Sequence, residues 1–473
     1  MDLHRLFFPE SIAVVGASPN IGPGRVPYYQ LLKSTGYKGR LYAVNPRYNE
    51  IDGETVYQTI EGLPGPIDLV IATIPAGQAL DVVKSCAEKG VKFIHFFTSG
   101  FSEIGDKGLE KAMIDAARLG GVRIIGPNCM GVHCSEAGIS CDLPNIVPLP
   151  AGKTAFLGQS GGMTNNFMRM AQSKQIMLNK VVSYGNQIDL KVEDYLEYFA
   201  HDDTVQAISC YIEDIKDMKR FTAVLKRNAS QKPVIILKGG TTEQGAKAAA
   251  SHTGAMAARN EIWTALMRQY GCIQAQNFEH MIDLAMMAVS ERMPTGPRLG
   301  FLGAGGGTSV LFTDIAYSQG FTLPELNPQT QERISEKISN VNTSTSNPVD
   351  LGFFGFDFTI MAHTISAMAE DDRIDIIIPY FSLDFITSFQ RDQLESGPYT
   401  IIEAAQKTNK PVVPILSKFT ENSIEIEEVR IKMSSVFRDA GLPVYNTPQD
   451  ALASLRGLWN WIMYTRDSQK TKD

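Results

Sequence analysis

The sequence predicts an α/β fold made of three doubly wound blocks, each built on a mainly parallel sheet. Two observations lead to this prediction. Short apolar runs typical of buried strands alternate with longer helical patterns along almost the whole chain, and each block opens with a strand followed by a glycine-rich turn. Strands that alternate with helices form βαβ units, which place the strands parallel in one sheet.

The first block opens with the strand and turn of Ser11–Ser18. Further apolar runs follow at 41–44, 67–73, 93–97 and 122–125, with helical patterns between them at 79–89 and 107–119. Right-handed crossovers bring the loops after such strands to one edge of the sheet, where ligands usually bind. A ligand site is therefore expected at the carboxyl ends of these strands.

The second block opens at Thr154–Gly162 and the third at Gly300–Gly307, and both openings contain Phe-Leu-Gly before a glycine-rich turn. We interpret these blocks as two copies of one doubly wound fold. Later strands of the second block are predicted at 180–184, 207–212 and 233–238, with a helix at 260–270. Proline-rich linkers at 142–153 and 293–297 give predicted domains of 1–141, 151–292 and 298–466.

Composition narrows the class of protein. The 473 residues are 44% hydrophobic and 20% charged, with a net charge of −7 and without a run of basic residues, so nucleic acid is not an expected partner. No uncharged apolar stretch is long enough for a membrane span, and the N-terminus lacks a signal-peptide pattern. We expect a cytoplasmic protein with reduced thiols. Cys129, Cys134 and Cys141 lie near His133 but lack paired metal-ligand spacing, so no metal site is predicted.

The turn Gly16-Ala17-Ser18-Pro19 follows a strand and precedes a helix, a position where backbone amides can hold a phosphate. NAD is disfavoured because the turn is not G-x-G-x-x-G and the next strand ends in Asn45-Pro46-Arg47 rather than in an acid. CoA carries a phosphate on its ribose, which an acid would repel, so a neutral Asn45 suits CoA better. Arg47 is either a ligand of that phosphate or an ordinary surface residue.

Three later strands of the first block end in short polar loops. These loops contain Ile74 and Pro75, then Ser99 and Gly100, and finally Asn128. Each loop alone is weak evidence for a site. Because the carboxyl ends of parallel strands share one edge, we expect all three loops to line the same crevice as the first turn.

His252 lies in a run of small residues, Ala246–Ala255, which offers a ring little bulk to pack against. A histidine that accepts a phosphoryl group needs an exposed nitrogen, donors for the phosphate oxygens and an acceptor for its other nitrogen. The turn Gln159-Ser160-Gly161-Gly162 can supply the donors, and Glu213 at a strand end can supply the acceptor. The alternative for His252 is a structural or surface role, and Glu213 is alternatively a solvated or helix-capping acid.

Taken together, these motifs resemble the succinyl-CoA synthetase superfamily, and more closely the α subunits of its NDP-forming acyl-CoA synthetases, such as the ADP-forming acetyl-CoA synthetases. The resemblance covers residues 5–460. It rests on the strand-end loops above, together with Gly185-Asn186, Ser251-His252-Thr253-Gly254 and Asn347-Pro348-Val349-Asp350-Leu351. It implies a Rossmann-like CoA-binding domain followed by two flavodoxin-like doubly wound domains.

The resemblance also implies a function. A carboxylic acid, CoA and ATP would give acyl-CoA, ADP and phosphate, through an acyl phosphate and a phosphohistidine at His252 that Glu213 stabilises. CoA would be held by Gly16, Ala17, Ser18, Pro19, Asn45, Pro46, Arg47, Ile74, Pro75, Ser99, Gly100 and Asn128. The phosphoryl or acyl group would contact Gln159, Ser160, Gly161, Gly162, Ser251, Thr253 and Gly254.

No Walker-type loop and no candidate ATP-grasp module occur in the sequence. ATP and Mg²⁺ are therefore expected on a separate ATP-grasp β subunit, in an α2β2 assembly as the resemblance implies. After the histidine motif the family commonly has a small and an acidic residue, whereas this chain has Arg259, which either alters the pocket or pairs with a substrate charge. The segment Gly162–Asn166 is bulkier and more polar than the small-residue runs usual in the family. Both departures favour an acid larger or more polar than acetate. The alternatives are a non-catalytic CoA-binding or CoA-sensing protein and a Rossmann oxidoreductase.

Overall fold

The computed structural model describes residues 2–20, 26–140, 150–245, 247, 260–339 and 341–470. The chain divides into two compact units, Met1–Ala285 with Ser468–Asp473, and Met286–Asp467. The first unit contains two sheets and the second contains one.

The first sheet has seven strands: β1 (Ser11–Val15), β2 (Arg40–Val44), β3 (Glu50–Ile51), β4 (Glu54–Tyr57), β5 (Leu69–Ala72), β6 (Phe93–Phe96) and β7 (Arg123–Ile125). Its order is β3-β4-β2-β1-β5-β6-β7, and all neighbours are parallel except β3 and β4. Without β3 this is the doubly wound dinucleotide-binding order, whose direction reverses between β1 and β5. Helices α1 (His4–Phe7), α2 (Tyr28–Ser34), α3 (Ala79–Lys89) and α4 (Lys107–Gly120) belong to this part.

The second sheet has six strands: β8 (Gly131–Cys134), β9 (Thr154–Gly158), β10 (Leu178–Ser183), β11 (Ala207–Ile212), β12 (Val234–Lys238) and β13 (Ile273–Gln274). Its order is β13-β12-β11-β9-β10-β8, with β8 antiparallel to β10. The parallel strands follow the flavodoxin-like order, which reverses between β9 and β11. The helices are α5 (Gly161–Ser173), α6 (Val192–Ala200), α7 (Met218–Asn228), α8 (Asn260–Gln269) and α9 (Phe278–Ala288).

The second unit has four strands, β14 (Leu299–Gly303), β15 (Val349–Asp350), β16 (Ile376–Ser382) and β17 (Ile415–Ser417), in the order β15-β14-β16-β17. All its neighbours are parallel, and the order matches the first four parallel strands of the second sheet. Its helices are α10 (Gly306–Ser318), α11 (Pro328–Ser335), α12 (Phe358–Glu370), α13 (Leu383–Phe389), α14 (Gly397–Gln406), α15 (Ile424–Asp439) and α16 (Pro448–Lys470). The predicted fold class, a Rossmann-like domain followed by flavodoxin-like doubly wound domains, is confirmed.

Burial explains why the strands read as continuous apolar runs. Every residue of β1, β5, β6 and β9 is buried, as expected for parallel strands covered by helices on both faces. The helices instead bury one face: in α3 the core residues are Ala79, Val83 and Cys86. The left-handed Gly90 ends α3, because its missing Cβ makes a positive φ inexpensive.

The two sheets of the first unit are joined by backbone as well as by side chains. The segment between β10 and α6 runs beside β7 and the loop that follows it. The Leu190 amide donates to the Ile124 carbonyl of β7, and the amides of Asn186 and Ile188 donate to carbonyls of that loop. Asp189 adds an ion pair with Arg123 at 2.8 Å and accepts from the Ile124 amide. This segment fixes the carboxyl ends of both sheets relative to each other.

Candidate active site

A cavity of about 1150 Å³ lies at the carboxyl ends of both sheets in the first unit. It is lined by the loops at the reversal point of the first sheet, after β1 and β5, and by the loops at the reversal point of the second, after β9 and β11. A strand-order reversal leaves adjacent crossovers on opposite faces, which opens a crevice for a ligand. One cavity therefore connects the two sites that the sequence predicts separately.

The turn after β1 depends on Gly16. Its amide donates to the Val44 carbonyl at 2.9 Å, its φ is +90°, and a Cβ there would lie 2.7 Å from the Thr73 carbonyl oxygen. The side chain of Asn45 donates to the Ala17 carbonyl at 2.7 Å and accepts from the Arg47 amide at 2.9 Å. Asn45 thus ties the end of β2 to the turn, a task that a carboxylate, lacking a donor, cannot perform.

The loops after β5, β6 and β7 are bonded to one another. The Thr98 hydroxyl donates to the Ile74 carbonyl at 2.5 Å, and the Asn128 amide donates to the Thr98 carbonyl at 3.0 Å. Asn128 itself has a φ of +58°, an uncommon conformation that asparagine tolerates better than most residues. The three loops form one continuous wall of the cavity.

On the second sheet, Gln159 connects neighbouring strand ends. Its side-chain oxygen accepts from the amides of Glu213 and Asp214 at 2.7 and 2.8 Å. The next residue, Ser160, caps α5 by accepting from the Met163 amide. The N-terminal amides of a helix attract anions, so this turn can bind a phosphoryl or carboxylate group.

Glu213 is 8% exposed, lines the cavity, and its Oε2 has no hydrogen-bond partner among the described residues. Its carbonyl accepts from the Lys238 ammonium at 2.8 Å, which fixes the backbone below the carboxylate. Burial and the neighbouring Glu213 carboxylate raise the pKa of Tyr211, so that phenol stays protonated. Gly239 leaves room for both side chains, because a Cβ there would lie 2.9 Å from the Tyr211 hydroxyl oxygen and 3.3 Å from the Glu213 Cγ.

Most of the predicted site residues line the cavity. On the first sheet these are Gly16, Ala17, Ser18, Asn45, Pro46, Arg47, Ile74, Pro75, Ser99 and Asn128, and on the second they are Gln159, Ser160, Gly161, Gly162 and Glu213. Pro19 and Gly100 do not line it, although each adjoins a residue that does. Ser251, His252, Thr253, Gly254 and Arg259 lie outside the described residues, so the pairing of His252 with Glu213 stays a prediction.

Sequence reasoning missed several residues of the cavity wall, among them Lys216, Asn186, Tyr48 and Gln58. Asn186 belonged to a recognised motif but was given no role. Lys216 follows the predicted Glu213 strand end by three residues, which was a usable signal for a second charged group at that edge. Among the described residues of the wall, the cations are Arg47 on the first sheet and Lys216 on the second.

No group of three or more His, Cys, Asp or Glu side chains within the described ranges is placed to hold a metal ion. Cys129 and Cys134 are buried and unpaired by disulfides, and burial raises the pKa of both thiols, whereas Cys141 lies outside the described residues. In the part of the chain that the structure describes, none of the helices combines the length and apolar character needed to cross a bilayer.

The chain matches two domain families. Residues 10–135 match the family described as CoA binding domain, and residues 151–288 match the family described as succinyl-CoA ligase like flavodoxin domain. The first match covers the sheet that carries the Gly16 turn, and the second covers most of the sheet that carries Glu213.

Whole-chain comparisons extend these matches. The chain is 32% identical over 461 residues to the α subunit of ADP-forming acetate–CoA ligase II of Pyrococcus furiosus, covering 96% of this chain and 97% of that one. It is 33% identical over 390 residues to ADP-forming acetate–CoA ligase I of Archaeoglobus fulgidus, covering 81% of this chain but 56% of that protein. The solved structure of the dinucleotide-forming acetyl-coenzyme A synthetase 1 of Ca. Korarchaeum cryptofilum, in complex with phosphate and ADP, superposes with a TM-score of 0.87 at 28% identity, covering 99% of both chains. The resemblance inferred from the motifs is confirmed, and the chain belongs to the family of ADP-forming acetate–CoA ligase α subunits.

Proposed function

We propose that this chain is the CoA-binding, phosphoryl-carrying subunit of an ADP-forming acyl-CoA synthetase. The reaction converts a carboxylic acid, CoA and ATP to acyl-CoA, ADP and phosphate. One observation carries the proposal: a single cavity joins the loops of a CoA-binding domain to the Gln159–Gly162 turn and to Glu213, whose Oε2 has no hydrogen-bond partner among the described residues. A non-catalytic CoA-sensing protein would not need the part of the cavity formed by the Gln159–Gly162 turn and Glu213.

CoA binds as a substrate along the first sheet. The Gly16 turn presents backbone amides at the reversal point, Asn45 shapes the end of β2 without adding negative charge, and Arg47 faces the cavity. A ribose phosphate is anionic, so a cation and a neutral amide suit it where NAD-binding proteins place an acid. The same features disfavour a Rossmann oxidoreductase.

The phosphoryl group travels on His252. A neutral imidazole attacks phosphorus through one nitrogen, and the proton on its other nitrogen needs an acceptor that holds the ring in place. The buried carboxylate of Glu213 is such an acceptor, because Glu213 lines the cavity and its buried Oε2 has no partner among the described residues. The amides of the Gln159–Gly162 turn and of α5 accommodate the phosphoryl oxygens.

Thioester formation then proceeds through an acyl phosphate. The CoA sulfur forms a bond to the acyl carbon, the bond from that carbon to the phosphate oxygen breaks, phosphate leaves with the electron pair, and the thiol proton passes to solvent. Direct condensation of a carboxylate with a thiol is uphill in water, so an activated acid is required. The enzyme's contribution is mainly positioning and charge stabilisation.

ATP and Mg²⁺ are assigned to a separate ATP-grasp β subunit in an α2β2 assembly. Two relatives support a separate subunit. The alignment covers 56% of the Archaeoglobus fulgidus protein, which therefore has a further part that this chain does not match. The Pyrococcus furiosus protein is named as an α subunit, which implies a partner subunit. No Walker-type loop occurs in the sequence. The acid is proposed to be larger or more polar than acetate, because Met163, Asn165 and Asn166 follow the Gly161–Gly162 turn.

The test is phosphorylation of the chain by γ-labelled ATP in the presence of its ATP-grasp partner. We expect acid-labile, base-stable label that is absent in His252→Ala and retained in the control His201→Ala, whose ring is exposed. Glu213→Gln should shorten the lifetime of the phosphoenzyme. Equal labelling of wild type and His252→Ala would remove His252 from the mechanism, and calorimetry with CoA and NAD separates the CoA assignment from the chemistry.

A further inference from the structure

Lys216 lies on the cavity wall but has no role in the function proposed above. It follows β11 in the loop of residues 213–217, close in sequence to Glu213. Arg47, the other cation among the described wall residues, belongs to the opposite sheet and is assigned to CoA. Among the described residues of the wall, Lys216 is therefore the cation at the end of the cavity where acyl and phosphoryl groups are expected.

The backbone around Lys216 is held on both sides. Gln159 accepts from the amides of Glu213 and Asp214, and the Gln187 side chain donates to the Asp214 carbonyl at 3.1 Å. Beyond Lys216, the Asp217 carboxylate caps α7 by accepting from the Arg220 amide at 2.9 Å. A cation on such a fixed loop is pre-organised, which lowers the cost of binding a ligand.

The Lys216 side chain combines an anchor with open donors. Its ammonium pairs with Asp214 Oδ2 at 2.8 Å, and the Lys216 side chain is 38% exposed whereas that of Asp214 is 16% exposed. An ammonium group has three N–H donors, so one bond to Asp214 leaves two for a ligand in the cavity. The ion pair with Asp214 thereby restricts the position of the Lys216 ammonium and leaves it able to donate further hydrogen bonds.

Glu213 makes a cation necessary on this wall. Its carboxylate is more than nine-tenths buried, and Oε2 has no partner among the described residues, so an anion that enters beside it is repelled. The amides at the start of α5 offset part of that repulsion. A lysine on the Glu213 loop adds to this, because its ammonium keeps N–H donors for the anion although Asp214 balances its charge.

We propose that Lys216 binds the phosphoryl group of the acyl phosphate while CoA attacks the acyl carbon. The proposal rests on the function proposed above. When the C–S bond forms and the C–O bond breaks, negative charge grows on the departing phosphate, and the Lys216 ammonium stabilises it. The same contact binds inorganic phosphate when the reaction runs backwards.

The test uses the assembled enzyme with acetyl phosphate and CoA and without nucleotide, so that His252 is not required. We expect Lys216→Met to raise the KM for acetyl phosphate and the inhibition constant of inorganic phosphate by roughly 10- to 100-fold. This is the change in affinity expected when hydrogen bonds to a charged group are lost. The dissociation constant for CoA should stay within about twofold of wild type. Lys216→Arg should recover most of the affinity, and Lys219→Met, an exposed lysine on α7, is the control.

Two results would overturn the proposal: an unchanged KM for acetyl phosphate in Lys216→Met, or an equal loss of CoA affinity, which would assign Lys216 to CoA. Lys216→Gln provides a second uncharged variant if Lys216→Met does not fold. A wild-type enzyme that forms acyl-CoA neither from acetyl phosphate nor from the acyl phosphates of larger and more polar acids contradicts the proposed function itself. An active wild type with an unaffected Lys216→Met contradicts only the role of Lys216.

Discussion

The side-chain amide of Asn186 donates a hydrogen bond of 2.6 Å to the carboxylate of Glu103. Asn186 belongs to the segment that follows β10 of the second sheet, and Glu103 belongs to the loop that follows β6 of the first. The other oxygen of Glu103 accepts from the Gly100 amide at 2.5 Å. This contact therefore fastens a loop that is proposed to bind CoA to the segment that follows β10 of the second sheet.

Glu103→Ala should destabilise the first unit by about 1.5–3 kcal/mol, the net contribution of hydrogen bonds to a charged group, and should weaken CoA binding. The urea transition of the first unit and calorimetry with CoA measure the two effects. Glu88→Ala, an exposed glutamate on α3, is the control. A double-mutant cycle with Asn186→Ala should give a coupling of about 1 kcal/mol, and additive effects would show that the two side chains act separately.

Gly16→Ala tests the close approach in the turn after β1. A Cβ on Gly16 would lie 2.7 Å from the Thr73 carbonyl oxygen, whereas Gly36, with a similar positive φ of +82°, has nothing within 4 Å of that position. Both alanine variants should lose about 1 kcal/mol of stability through backbone strain. Gly16→Ala should lose more than that, because its Cβ also clashes with the Thr73 carbonyl oxygen. Only Gly16→Ala should lose CoA affinity, by about tenfold or more. Similar CoA affinity in both variants would remove the turn from the binding site.

Gly239→Ala should displace Glu213 without touching the CoA loops. The new methyl group would approach the Tyr211 hydroxyl and the Glu213 Cγ, so one of these side chains has to move. We expect a phosphoenzyme of shorter lifetime and unchanged CoA affinity. Gly108→Ala, in the first turn of α4, gives its Cβ only an ordinary contact with Asp106 and is the control. A phosphoenzyme lifetime equal to wild type would contradict the role of Glu213.

His95 makes the first unit sensitive to acid. Burial lowers the pKa of His95 from 6.5 to about 4, even though its Nε2–H donates to the Cys129 carbonyl at 3.0 Å. His95 binds a proton at a higher pH in the unfolded chain than in the folded one. The contribution of the neutral, buried His95 to the free energy of unfolding is therefore complete above pH 6.5 and declines as the pH falls towards 4. The expected slope is about 1.4 kcal/mol per pH unit.

His95→Gln should reduce the slope in that part of the pH profile by about half, because burial also lowers the pKa of His133 to about 4. His201→Gln, whose ring is exposed, should leave the slope unchanged. Urea midpoints of the first unit at several pH values between 7 and about 4.5 measure the difference. A profile that is as steep in His95→Gln as in wild type would assign the acid sensitivity to other groups.

Sequence patterns located the strands and turns well because these features are local. The apolar runs coincide with β1, β5, β6 and β11, and the helix predicted at 79–89 has the bounds of α3. The hairpin of β3 and β4 was missed although it carries a strong local signal. Asp52 and Gly53 form its two-residue turn with φ values of +51° and +78°, as Asp-Gly hairpins require.

Long-range features were less accessible. Nothing near Gly131–Cys134 indicates that this strand leaves the block in which the sequence placed it and pairs with β10, because pairing depends on the fold of both partners. The sequence does not distinguish Lys216 from other surface lysines, because only the folded structure places it on the cavity wall. The hydrogen bonds by which Asn45 and Gln159 connect neighbouring loops likewise could not be predicted, because their partners are distant in the sequence.

The path of β8 bears on how this chain can be dissected. A fragment that stops at residue 135 would carry β8 away from its only neighbouring strand among those described, and would leave the edge of β10 bare in the remaining piece. Bare edges invite pairing with other chains, so such fragments are liable to aggregate. The second domain therefore cannot be excised, swapped or transplanted without β8, a strand that sequence numbering assigns to the first domain.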